Sequence, residues 1–159
     1  MYRNVNPHPQ GKRTRDCVKR ALCLGSEINY HDIAIMLNRY RKETHAKAYN
    51  YDENWRPFIV KVLLGVDLGN LQYANHGHRY KVYEFAKQRN TRAICQVANH
   101  LVAVNGEGDY LDTWNSGEKS IYKAYGLPSY EVIVSHIKTN YKKLCKGLTL
   151  ERQKMRFVL

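Results

Sequence analysis

The chain has no long apolar run. No window approaches the roughly 18 apolar residues that a membrane-crossing helix needs. The first 17 residues, MYRNVNPHPQGKRTRDC, have no apolar stretch of the kind that marks a secretory signal. The expected compartment is therefore the cytosol. Cysteine is sparse, with four residues (17, 23, 95, 145) and no C-x-x-C pair. In the cytosol these are expected as thiols, not as a disulfide framework. A zinc site would need scattered ligands such as His76, His78 and Cys95, whose spacing is nonspecific. Acids are also few, 14 against 26 Lys and Arg. Internal repeats, low-complexity segments and nucleic-acid-binding motifs are absent.

What is present is positive charge at both ends. Residues 1–20 carry six Lys/Arg against one acid, and residues 121–159 carry eight against two. Such an imbalance suits an anionic partner: an acidic peptide or protein, or a nucleic acid. At 159 residues, 43% of them apolar, the chain has material for one core.

Residues 1–15 read as a basic extended arm. Cys17 to Leu24 reads as a short helix capped by Asp16 and closed by Gly25. A second helix starts near Asn29, with Ile33, Met36, Leu37 and Tyr40 in one stripe. A third covers about 55–64 with Pro57 in its first turn, and a fourth about 80–89. The period then changes. Residues 93–104, 110–114 and 119–125 are β-like runs separated by turn residues, which predicts an antiparallel meander. After Pro128, Ser129 and the spacing of Ile133, Ile137, Tyr141 and Leu144 predict a C-terminal helix to about Lys146. Helices before strands make this an α+β domain over 16–128, followed by a helix and basic tail over 129–159.

The chemistry gathers at three places. Cys17 opens a helix, where unpaired N–H groups and the helix dipole favour a thiolate. Arg13, Arg15, Lys19 and Arg20 act in the same direction. A thiolate enzyme needs a proton acceptor, and His100 opens the strand HLVAV. Asp112 follows twelve residues later on the next strand. In a hairpin whose opposed positions sum to about 212 or 214, Asp112 reaches the imidazole and leaves its other nitrogen for the thiol. Asn115 is an alternative orienter.

This order of helix Cys, strand His and next-strand Asp resembles the papain-like cysteine peptidase superfamily. The runs DCVKRAL and HLVAVNGEGDYLDTWNSG resemble small papain-like proteins of phages and mobile elements of Gram-positive bacteria, over about residues 11–125. The resemblance implies Cys17 as nucleophile, His100 as general base and acid, Asp112 as orienter, and no cofactor or metal. A phage origin would place the protein in the bacterial host cytoplasm. The superfamily usually sets a Gln six residues before the Cys, as oxyanion donor. Here position 11 is Gly and the Gln is Gln10, with Thr14 and Gln96 as alternatives.

Two functions are open at this point. One is a cysteine hydrolase of amide bonds acting on an acidic peptide or protein. The other is a catalytically silent scaffold whose basic ends (Arg13, Arg15, Lys19, Arg20, Lys142, Lys143), with Tyr2, Tyr122, Tyr125 and Tyr141, bind nucleic acid or an acidic protein. Nothing in the sequence sets an oligomeric state.

Overall fold

Caps and apolar spacing explain where the helices lie in the computed structural model, which describes residues 1–12, 16–44, 52–69, 71–73 and 77–155. Helix α1 spans Cys17–Ser26. It closes at Glu27, not at Gly25. Glu27 takes a left-handed conformation (φ 66°) and donates its N–H to the Cys23 carbonyl. Gly25 instead permits a close approach: a Cβ there would lie 2.8 Å from Ile94 Cγ1 and 3.1 Å from Leu127 Cδ1. Helix α2 spans Tyr30–Glu43, and the Asn29 side chain caps it by accepting from the Asp32 N–H at 3.0 Å. Its expected stripe of Ile33, Met36, Leu37 and Tyr40 is buried.

Helix α3, Asp52–Pro57, runs into a π-helical turn, Phe58–Val62. The single helix expected over 55–64 is thus two elements, and Pro57 lies at their joint, not in a first turn. Proline has no N–H for the helical ladder, so a change of hydrogen-bond pattern beside it is natural. Ile59, Val62 and Leu63 still face inward. Helix α4, Val82–Gln88, buries Val82, Phe85 and Ala86. Helix α5, Tyr130–Asn140, starts where Ser129 Oγ accepts from the Val132 N–H and ends short of the expected Lys146, in turns over 142–147. No helix among the described residues is long and apolar enough to cross a membrane.

The strands are β1 (Tyr2–Asn4), β2 (Val66–Asp67), β3 (Gln72–Tyr73), β4 (His78–Arg79), β5 (Arg92–Val97), β6 (His100–Asn105), β7 (Tyr110–Asp112) and β8 (Lys123–Gly126). Six form one sheet in the order β1-β7-β6-β5-β8-β2, while β3 and β4 pair separately. All contacts in the large sheet are antiparallel except β1 with β7.

Three expectations are corrected here. The run 93–104 is a hairpin, turned at Ala98-Asn99 with Asn99 at φ 53°. The meander covers only β5, β6 and β7. β8 pairs with β5 because residues 113–122 cross over and bond to the start of α4, Val82 N–H to Lys119 O and Ile121 N–H to Tyr80 O. The N-terminal arm contributes the edge strand β1.

Helices α1, α2 and α5 and the π turn cover one sheet face, over Ile94, Leu101 and Tyr125. Helix α4 covers the other, over Ala93, Cys95, Val102 and Val104. The fold is therefore α+β.

The tail after α5 is docked through Met155. Ile28 bridges Arg152, the Asn29 N–H reaches Glu151 O, and the Leu150 N–H reaches Asp32 Oδ2 at 2.9 Å. Leu150 is fully buried in the α1–α2 core. Leu150→Ala should cost about 2–5 kcal/mol in urea unfolding; a loss below about 1 kcal/mol would remove the tail from the core.

Candidate active site

Helix α1 packs across β6, so its first residue, Cys17, meets the first residue of β6, His100. The register of β6 with β7 pairs Ala103 with Leu111 and Val104 with Tyr110. These pairs sum to 214, which sets Asp112 diagonal to His100 on one sheet face. His100 Nε2 lies 2.6 Å from Asp112 Oδ2. Two more bonds fix that buried carboxylate: the Thr113 N–H donates to Oδ1 and Ser116 Oγ donates to Oδ2, both at 2.8 Å. Trp114 lies against the imidazole, with ring centroids 4.9 Å apart, and stays 42% exposed itself. It shields one side of the ring from water.

With Nε2 given to Asp112, the other imidazole nitrogen is left for the Cys17 thiol, which is hydrogen-bonded to His100. The sulfur also takes the Leu101 backbone N–H. That N–H points toward β7, but paired β7 stops short of it, so the strand does not claim it.

These contacts decide the charges. Burial raises the thiol's pKa. The His100 hydrogen bond, the Leu101 N–H, the imidazole charge and Arg20 outweigh it and hold Cys17 below the usual thiol range. Burial lowers the pKa of His100, but its bonds to Asp112 and Cys17 push it up to about 9. The pair therefore favours thiolate and imidazolium together. At Cys23 and Cys95 burial pushes both thiols up.

Asp16 does not cap α1, contrary to expectation. Its side chain makes no bond to a helix N–H. It pairs instead with the Arg20 guanidinium one turn along, and accepts from the Tyr30 hydroxyl at 2.6 Å. All three residues are buried. A buried carboxylate needs such partners more than a helix end needs a cap. No capping side chain of Asp16 then competes for the first-turn N–H groups of α1, including that of Cys17. Arg20 is accordingly a structural cation and not a surface binding residue.

Comparison of the chain with protein-family models, curated proteins and solved structures gives no match. The arrangement stands on its own geometry.

The remaining candidates are dispersed. Arg13, Thr14 and Arg15 lie outside the described residues. Gln10 is exposed and lines a groove with Lys19, Tyr30 and His31. Gln96 sits one strand beyond Leu101, and its Oε1 accepts from Arg56 at 3.4 Å. Asn115 accepts from the Tyr110 hydroxyl at 2.6 Å and from the Gly117 N–H, so it does not orient His100. Lys142 and Lys143 are exposed beyond α5. Of the zinc candidates, Cys95 is in the core, His78 is bonded to Glu84 and His76 lies outside the described residues. Sequence reasoning missed Leu101, Trp114, Ser116 and Tyr30. Trp114 alone had a signal, since it shares strand parity with Asp112.

Alkylation by iodoacetamide follows the thiolate fraction, so a lowered thiol pKa moves the reaction to lower pH. Peptide mapping should find Cys17 modified first at pH 6–7, ahead of Cys23 and Cys95. Asp112→Asn should shift the Cys17 profile upward by about one pH unit or more, because the imidazolium loses its counter-charge. Equal rates at Cys17 and Cys23 would rule out an activated thiol.

Proposed function

We propose that this chain is a cysteine-dependent hydrolase of amide or peptide bonds, with a papain-like site of Cys17, His100 and Asp112. The observation that carries the reading is the 2.6 Å bond of His100 Nε2 to the buried Asp112 carboxylate, with the Cys17 thiol beside the same imidazole. The chain order of helix Cys, strand His and strand Asp supports the papain-like assignment.

The Cys17 thiolate attacks the amide carbon and forms a C–S bond, while the carbonyl oxygen gains charge. The N–H groups at the start of α1 are suited to that oxyanion. This supports an oxyanion site built on backbone N–H groups, with no need for the displaced Gln10. His100 then gives its proton to the leaving amine as the C–N bond breaks, leaving a thioester acyl-enzyme. In the second half, His100 takes a proton from water, the hydroxide adds to the thioester, and the thiolate leaves. Asp112 holds the imidazole in the required tautomer and stabilises the imidazolium. Every group needed for these steps is a side chain or backbone N–H of this chain, so the reading calls for no cofactor. A peptide or protein with acidic character suits the +12 net charge, and we place the activity in the cytosol.

The test is turnover of a complex peptide mixture, followed by mass spectrometry of the products. Cys17→Ser and His100→Ala should each lower kcat/KM by about 10³ or more, and Asp112→Asn by about 10²–10⁴. Cleavage that survives Cys17→Ser unchanged would end the proposal.

A further inference from the structure

A groove of about 570 Å³ lies between residues 8–10, the start of α1 and the outer face of α2. Its cations are Lys19, Arg39 and Lys42, joined by the imidazoles of His8 and His31, and among the described residues no Asp or Glu lines it. Asp32, beside His31, is buried and held by the Leu150 N–H, Asn29 and the His31 ring. Pro9, Tyr30, Ala34 and Ile35 supply an apolar floor.

We propose that this groove binds an acidic peptide segment of a protein partner. Positions 31, 35, 38 and 42 follow one stripe of α2, about 16 Å long at 1.5 Å per residue. An extended peptide of about five residues, at ~3.3 Å each, spans that length. Arg39 is held in place by the carbonyls of Leu144 and Lys146, both 2.9 Å from Nη1. An acidic peptide fits better than a nucleic acid. Among the described residues the one tyrosine that lines the groove, Tyr30, is only 8% exposed, so it offers bases little to stack on.

The groove is separate from the thiol. Cys17 is not among the residues that line it, and on α1 it faces about 160° away from Lys19. The inference therefore does not rest on the catalytic reading, and its test uses the Cys17→Ala protein.

A fluorescein-labelled oligo-glutamate peptide is titrated by anisotropy at low and at high salt. Binding should be salt-sensitive, and Lys19→Glu with Lys42→Glu should weaken it by about tenfold or more. Lys19→Gln with Lys42→Gln should weaken it less, in the same direction, and guards against misfolding of the reversed variant. Reversing Lys87 and Lys119, exposed residues on the α4 side, should change binding by less than about twofold. No binding by the parent, or equal losses in both reversed pairs, overturns the proposal in favour of unspecific net charge. Tighter binding of a labelled oligothymidylate that is lost with Lys19 and Lys42 overturns it in favour of nucleic acid.

Discussion

A 2.6 Å hydrogen bond from His100 Nε2 to Asp112 Oδ2 assigns the two nitrogens of the imidazole. Everything else at the site depends on that assignment. With one nitrogen fixed on a buried carboxylate, the other is left for the thiol, and the imidazolium gains a counter-charge it would lack on its own. The bond exists because β6 and β7 pair with a sum of 214. A slip of one residue would move Asp112 to the opposite sheet face. Thr113 and Ser116 then leave the carboxylate little freedom to turn away.

The thiol is placed by a different set of forces. The long α1–β6 packing, with Gly25 allowing the helix close to Ile94, brings the start of α1 to the start of β6. The Asp16–Arg20–Tyr30 cluster ties the first turn of α1 to α2. The same cluster contributes Arg20's charge beside the sulfur. A buried ion pair is weak evidence of stability in itself. Here it serves position: it fixes the helix start while keeping the Asp16 carboxylate off the first-turn N–H groups.

Much of this was legible in the sequence where the cause is local. Cys17 follows a loop and begins an apolar helical pattern, and His100 begins a β-rich run. The even separation to Asp112 across a short turn specifies one face. The stripe on α2 and the caps at Asn29 and Ser129 are local in the same sense. What was hidden depends on distant partners. Asp16 fails to cap because Tyr30, on another helix, takes its carboxylate. Leu101 reaches the sulfur because β7 ends where it does. β8 lies beside β5 because residues 113–122 bond to the start of α4, and the tail docks because Leu150 finds a place beside Asp32. None of these has a signature in its own segment.

The most direct measurement of the central claim is the ultraviolet thiolate absorbance of the protein, titrated downward in pH and compared with Cys17→Ala. A thiolate–imidazolium pair predicts one thiolate equivalent that titrates below the ordinary thiol range in the parent and is missing in Cys17→Ala. If the parent shows thiolate only near the ordinary thiol value of about 8.5, the same in both proteins, Cys17 is not activated and the account is wrong.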